Sequence, residues 1–352
     1  MEKKKRILID ISAHGYGHIA QTAPIVNRLF GRQPLEVTIR SGAPENVLRE
    51  RFDCPFEWID RSVDFGMRMK NAFDVDVAAT ASNYRVFHEN WKGRIEAEAK
   101  WLASASFDLI LCNVPYLPLK AAKLAGIPSV AMCSLNWADL YRHYCGEGAV
   151  YEEILDAYRS AAAFLTIEPA MPMEGLDTVR VGPVAETGKR RREELRELLR
   201  LGRDEKIALV SMGGMAYSIP FEKWPVFEPV HWLVPGNVSR PDMTAFGALA
   251  MPFADLLASC DVLVTKPGYG SFVEAALCGV AVLYISRGDW PEAPFLVKWL
   301  AGNARCLEVE RKALEEGDIG EPLNRLLAMP EKPLPLATGI GQASDFLAAL
   351  FT

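Results

Sequence analysis

The chain has 352 residues, half of them apolar and 24% charged, with a formal net charge of −6. That length exceeds what one hydrophobic core usually serves, so two domains are expected, and the composition is that of a folded chain rather than a disordered one. A negative balance argues against non-specific nucleic-acid binding, which needs a basic surface. No run approaches the ~20 apolar residues that span a bilayer. The charged N-terminus passes straight into Ile7-Leu8-Ile9-Asp10 without a signal-peptide core. Seven scattered cysteines, never in a Cys-x-x-Cys pair, fit a reducing, cytoplasmic setting and offer no metal site.

Short apolar runs alternate with amphipathic stretches along nearly the whole length, the pattern of βα units around a parallel sheet. In the first half, strands are expected at 6–11, 35–39, 109–112, 129–132 and 164–167, with helices at 21–30, 84–102 and 117–124. Val181-Gly182-Pro183-Val184 interrupts this rhythm, and the charged stretch 189–200 reads as a solvated helical connector. The pattern then restarts, with strands at 207–211, 232–234, 262–265 and 280–285 and helices at 271–277 and 295–300. The expected division is an α/β domain over 1–183 and a second over 184–337. The remaining 338–352 holds an apolar-rich helix at 343–351, able to pack back across the hinge. Residues 62–104 are the most irregular part of the first domain. Their Phe65, Met67, Met69, Phe73, Tyr84, Phe87 and Trp91 suit either a core or an acceptor-binding face.

Three motifs stand at strand-to-helix turns. Ala13-His14-Gly15-Tyr16-Gly17-His18 follows the first strand, where glycines let the backbone turn tightly and approach a ligand. Its spacing is not the dinucleotide fingerprint. A neutral imidazole at His18 would stand at the carboxyl edge of the sheet, placed to take a proton from an attacking hydroxyl. The competing structural reading is a helix cap. The second motif runs from Asp261 through Lys266-Pro267-Gly268-Tyr269-Gly270-Ser271 to Glu274. A glycine turn opening a helix presents backbone N–H groups to an anion such as a diphosphate, with Lys266 as a point charge and Ser271 as a hydroxyl beside it. Glu274, one turn in, can accept two ribose hydroxyls or simply complement the helix dipole. In the third, Ser286-Arg287-Gly288-Asp289-Trp290-Pro291-Glu292, the two carboxylates suit sugar hydroxyls or a solvated turn.

The Lys266–Glu274 block resembles the donor-binding signature of GT-B glycosyltransferases, MurG and the plant UDP-glucosyltransferases among them. Over nearly its whole length the chain is more closely similar to the glycosyltransferase-like N-terminal half of plant arabinokinases. Matching stretches are His14–His18, Trp137–Tyr141, Gly268–Leu277 and Arg287–Leu296. The resemblance implies two Rossmann-like domains facing a cleft and an inverting, metal-independent transfer from a nucleotide diphosphate sugar, with no cofactor. UDP is the expected nucleotide, dTDP the second choice. The acceptor would be a small molecule or a lipid-linked glycan, met in the cytoplasm or at the inner face of a membrane.

By the same resemblance His18 takes the place of the catalytic base, and Asn113 the place where plant glucosyltransferases carry an aspartate to orient it. Lys266, Gly268 and Ser271 take the diphosphate positions, Glu274 the ribose position, and Asp289 with Glu292 the donor-sugar positions. The expected donor-binding set also includes Gly17, Gly213, Gly214, Tyr269 and Gly270, with Phe253 near the base. An asparagine can position an imidazole but cannot stabilise the imidazolium as a carboxylate would. Two alternatives stay open: a hydrolase or epimerase on the same fold, and a non-catalytic nucleotide-sugar-binding protein.

Overall fold

A computed structural model describes residues 4–214, 217–236 and 238–351. The chain divides into two compact units, one of Met1–Lys70, Asp74–Val184 and Ala337–Thr352, the other of Asn71–Phe73 and Ala185–Leu336.

The first unit is built on seven strands: β1 (Lys5–Ile11), β2 (Leu35–Ser41), β3 (Phe56–Asp60), β4 (Leu109–Asn113), β5 (Ser129–Cys133), β6 (Ala163–Ile167) and β7 (Thr178–Val181). They pair in parallel in the order β3-β2-β1-β4-β5-β6-β7. The inner strands β4 and β5 are buried at every residue, as a parallel sheet covered on both faces requires. Chain order reverses between β1 and β4, and such a switch point opens a crevice at the carboxyl ends of the strands. Sequence pattern alone missed β3 and β7. Both are edge strands with mixed polarity, and three of the four β7 residues are exposed, so neither shows a buried strand's apolar run.

One expected helix becomes two. In place of 84–102 the structure has Val77–His88 and Trp91–Ala105. The break falls at Glu89–Asn90, and asparagine favours helix boundaries over interiors. Gly93 has no Cβ, and its vacant position is filled by the Asn90 side chain. Trp91 then stacks on His88 at 4.7 Å between ring centroids.

In the second unit β8 (Lys206–Val210), β9 (Val230–Val234), β10 (Met243–Ala245), β11 (Val262–Thr265), β12 (Ala281–Ile285) and β13 (Cys306–Val309) repeat the scheme. Their order is β10-β9-β8-β11-β12-β13, again parallel. The edge strands β10 and β13, short and partly exposed, are the ones the apolar pattern did not reveal. Ala72 and Phe73 belong to this unit's core, where the Phe73 ring meets Tyr217 edge-on at 4.9 Å.

The last helix, Gly339–Ala349, packs in the first unit against Gly17–Phe30, burying Ala343, Ser344 and Leu347. The Gly339 N–H donates to the Pro183 carbonyl at 3.0 Å, and the Gly182 N–H donates to Gln342 Oε1 at 2.7 Å. A Cβ at Gly339 would overlap the backbone carbonyl of Gly182, which no rotamer can relieve. Gly339→Ala is therefore expected to destabilise the first unit by about 1–3 kcal/mol, the usual cost of overpacking. Differential scanning calorimetry should show a lowered transition, and an unchanged melt would mean that this helix is not fastened as described.

Candidate functional site

The two strand-to-helix turns that stood out in the sequence carry different chemistry. In the first unit, β1 ends at Ile11 beside Asn113, the last residue of β4, because the register pairs these two positions. The Ser12 N–H donates to the Asn113 carbonyl at 2.8 Å, holding the junction together. Gly15 turns the chain at φ +91, a conformation that disfavours side chains. The helix then begins at Gly17, and His18 enters as its second residue, 6% exposed.

The Asn113 side chain is completely buried. Its Nδ2 donates to Gln21 Oε1 and Thr22 Oγ1, both at 3.0 Å, and to the His18 carbonyl at 3.3 Å. With the amide nitrogen committed to acceptors, Oδ1 faces His18 Nδ1 at 2.9 Å. An amide oxygen only accepts, so this arrangement assigns the proton to Nδ1 and the lone pair to Nε2. Cys133 Sγ lies 3.6 Å from the same Nδ1. Burial pushes the imidazole down to about 4, with the Asn113 hydrogen bond pulling the other way, so His18 is neutral at physiological pH.

Trp137 leads the helix Trp137–Cys145 and makes T-shaped contacts with both histidine rings, its centroid 5.4 Å from that of His14 and 5.9 Å from that of His18. Its indole N–H donates to Asp64 Oδ2 at 2.7 Å. Gly66 lies against the His14 ring at φ +58, and a side chain there would strike the imidazole. Behind the junction, Asp10 of β1 takes two bonds from Arg40 at 2.5 and 2.8 Å, and Arg40 reaches Glu98 at 2.6 Å. That buried ion pair ties β1 to β2 and to the helix Trp91–Ala105 with no part facing solvent.

In the second unit, Lys266-Pro267-Gly268 joins β11 to the helix Tyr269–Cys278. Gly268 is the residue before the helix, and no side chain caps its first turn. A Cβ on Gly268 would meet only the Lys266 carbonyl, at 3.9 Å, so the fold itself has room for a side chain there. Lys266 is half-buried; burial first, and Arg287 second, lower it to about 7 against the pull of Glu292. Tyr269 and Gly270 are buried, Ser271 is half-buried, and the Glu274 side chain is buried one turn in.

The remaining candidates separate. Glu292 is buried and accepts from Trp290 Nε1 at 3.2 Å, whereas Asp289 is exposed beside Gly288, which turns at φ +65. Gly213 turns the chain after β8 at φ +69, followed by the exposed Gly214. Phe253 opens the helix Phe253–Ser259, its ring 6.0 Å from Phe246. Sequence reasoning missed Asp64, Gln21, Thr22 and Cys133 around His18, and Arg287, whose guanidinium stacks 3.9 Å over the Trp290 ring. Gln21 and Thr22 lie one turn beyond His18, where helical spacing could have found them. Asp64 gave no local signal. Among the described residues no group of three or more His, Cys, Asp or Glu side chains could hold a metal ion, and no helix is long and apolar enough to cross a membrane.

Two parallel-sheet α/β units of this topology make up the GT-B glycosyltransferase fold, and solved structures bear that out over the whole chain. A UDP-glucosyltransferase from Polygonum tinctorium, capable of glucosylating indoxyl, is 15% identical with a TM-score of 0.64, covering 100% of this chain and 99% of that one. The calicheamicin glycosyltransferase CalG4 is 16% identical with a TM-score of 0.63, covering 99% of this chain and 98% of that one. In sequence, the L-arabinokinase of Arabidopsis thaliana is 24% identical over 338 residues, 91% of this chain and 32% of that protein. The chain thus spans about a third of that relative's length. No protein-family model matches.

Replacing Asn113 by aspartate places a carboxylate where Oδ1 now meets His18. An adjacent negative charge favours the imidazolium, so in Asn113→Asp the His18 midpoint should climb from about 4 toward the ordinary 6.5 in a ¹⁵N NMR titration. The variant also loses the Nδ2 donor to Gln21 and Thr22 and should melt lower, a lost buried bond costing about 1–3 kcal/mol. A folded variant with an unmoved His18 midpoint would show that the 2.9 Å contact does not govern the ring.

Proposed function

We propose that this protein is an inverting glycosyltransferase that takes a sugar from a nucleotide diphosphate donor, UDP-sugar first and dTDP-sugar second, and places it on an acceptor hydroxyl. The observation that carries the reading is the His18–Asn113 pair, a buried neutral imidazole whose Nε2 holds the free lone pair. A group in that state accepts a proton and does not act as an acid.

In the proposed reaction the acceptor oxygen attacks the anomeric carbon while its proton passes to His18 Nε2. The bond from that carbon to the β-phosphate oxygen breaks, and its electron pair leaves on the diphosphate. The imidazolium then returns the proton to solvent. The first-turn amides of Tyr269, Gly270 and Ser271, with Lys266, meet the charge developing on the leaving group, and fixed dipoles aimed at such charge are usually the largest catalytic term. Glu274 holds the ribose hydroxyls and Phe253 lies near the base. Asp289 and Glu292 stand at the donor sugar; Glu292 acts from a fixed position because Trp290 holds it. Gly213 and Gly214 keep the adjoining turn open. Room for a Cβ at Gly268 supports the reading, since the glycine there leaves space that the fold itself does not need.

Isothermal titration calorimetry and a nucleotide-sugar turnover screen test this directly. Glu274→Ala should weaken UDP binding roughly ten- to a hundredfold, the size of a lost charge-assisted bond. His18→Ala should leave UDP affinity within about twofold and abolish transfer. Unchanged UDP affinity in the Glu274 variant would count against the ribose assignment. UDP release that does not depend on any acceptor would make the protein a hydrolase instead.

Lys266 makes UDP binding depend on pH. Its amine titrates near 7 when no anion is present, and a diphosphate beside it favours the ammonium, so binding above pH 7 must take up a proton. Affinity should therefore fall as pH rises from 7 to 9. Calorimetry at pH 8 in buffers of different ionisation enthalpy should register roughly one proton taken up per UDP. Lys266→Arg should bind with no such uptake, because arginine stays charged. Equal uptake in both proteins would place the titrating group elsewhere.

A further inference from the structure

The base just described has a difficulty of its own making. Burial holds the His18 ring neutral, and its hydrogen-bond partner Asn113 carries no charge, so neither welcomes the cation that His18 becomes on taking a proton. We propose that Trp137, with Asp64 behind it, holds that imidazolium, so that both are positioning residues of the base. The transfer role of His18 rests on the reading above; the contact itself does not.

The geometry is specific. Trp137 is completely buried, and its ring meets that of His18 in a T-shaped contact at 63° with centroids 5.9 Å apart; the proposal sets the edge of the imidazolium against the indole face, within the ~6 Å over which such a face attracts a cation. Three anchors fix the indole. Its N–H donates to Asp64 Oδ2 at 2.7 Å. Its backbone N–H donates to the Tyr158 hydroxyl at 3.1 Å. That hydroxyl donates to the carbonyl of Val114, the residue after Asn113, at 2.7 Å. The segment carrying Asp64 is fitted onto the histidine loop, since Gly66 leaves no space for a side chain beside His14.

A carboxylate accepting the indole N–H polarises the ring and strengthens its attraction for a cation, and exclusion of water preserves that effect. Asp64 supplies negative charge without touching His18, where a buried carboxylate would fix the proton on the ring before attack. Its surroundings are the Asp10 carboxylate, itself paired with Arg40, the hydroxyls of Ser12, Tyr84 and Tyr158, and the Cys112 thiol, with the two histidines on the Trp137 ring that it holds. Burial, with Asp10 adding to it, raises Asp64 to about 6 against the bonds from Trp137 and Ser12. Its charge is therefore present at neutral pH and lost as pH falls through about 6.

The test needs no donor. In ¹H–¹⁵N spectra the Trp137 indole signal, identified by its loss in Trp137→Phe, should titrate with a midpoint near 6. In Asp64→Asn, which keeps an acceptor oxygen, the signal should persist without titrating. In Trp137→Phe His18 should titrate at lower pH than in the wild type. For Asp64→Asn the comparison is made in the Asn113→Asp background, where the His18 midpoint rises into the range in which Asp64 carries its charge, and there it should fall; the same background serves Trp137→Phe where acid unfolding hides the wild-type midpoint. An indole signal that ignores pH between 4 and 8 (roughly two pH units either side of the midpoint) overturns the proposal, as does a His18 midpoint unmoved by Trp137→Phe, or by Asp64→Asn in the Asn113→Asp background, in correctly melting variants.

Kinetics give a second readout. Asp64→Asn should lower kcat about 5- to 30-fold at pH 7.5, the scale of a desolvated cation–π contact. UDP affinity should be unchanged, and the acid limb of the kcat profile near pH 6 should disappear. A wild type that turns over no nucleotide sugar sinks the transferase reading and leaves the NMR result standing. Normal kcat in Asp64→Asn sinks the Trp137–Asp64 role alone.

Discussion

Every polar atom of the Asn113 side chain is committed: the nitrogen to Gln21, Thr22 and the His18 carbonyl, the oxygen to His18 Nδ1. Its backbone carbonyl takes the Ser12 N–H. One residue thus joins the end of β4 to the end of β1 and to the first turn of the helix that follows. Because a buried amide left unsatisfied is costly, the arrangement has few alternatives. The imidazole orientation, its tautomer and the Trp137 contact all follow from where that amide points.

Both strand-to-helix turns keep a titratable group in a form that burial dictates. His18 is held neutral near 4, and Lys266 titrates near 7 rather than as an ordinary lysine. In each case the charged form is what a substrate would call up, a proton from an acceptor for His18 and an anion for Lys266. Perturbed groups of this kind concentrate at functional sites because the fold carries their cost in advance. The compensation sits nearby in both units, as the Trp137–Asp64 contact in one and as Glu292, working against Arg287, in the other.

The buried Asp10–Arg40–Glu98 group shows what a structural ion network looks like beside these sites. Glu98 also takes a bond from Arg61 at 2.7 Å, so two carboxylates meet two guanidiniums, and Arg40 additionally lies 4.5 Å from the Trp101 ring centroid. Removing Arg40 would leave the buried Asp10 and Glu98 carboxylates without the cation they share. His18, by contrast, has a neutral partner and keeps one ring nitrogen outside the hydrogen bond to Asn113.

The sequence by itself determined the two sheets, because buried parallel strands such as β4, β5, β11 and β12 must be unbroken apolar runs whatever surrounds them. It marked the first glycine turn for a local reason, since Gly15 turns the chain at positive φ, whereas Gly268 at the second turn is extended and could be another residue as far as the backbone is concerned. The association of Asn113 with His18 came from the resemblance to GT-B glycosyltransferases and not from a local pattern; the strand order that sets Asn113 beside the end of β1 is a tertiary fact. Edge strands escaped the sequence pattern, being half-exposed and chemically mixed. So did the break at Asn90, which depends on the missing Cβ of Gly93. Only the tertiary structure decided that Asp64 grips Trp137 and that Trp137 faces both histidines, for those residues are 73 and more than 100 positions apart. Only it decided that Glu292 is held by Trp290 while Asp289 faces solvent, since two carboxylates in one loop are alike until packing buries one of them.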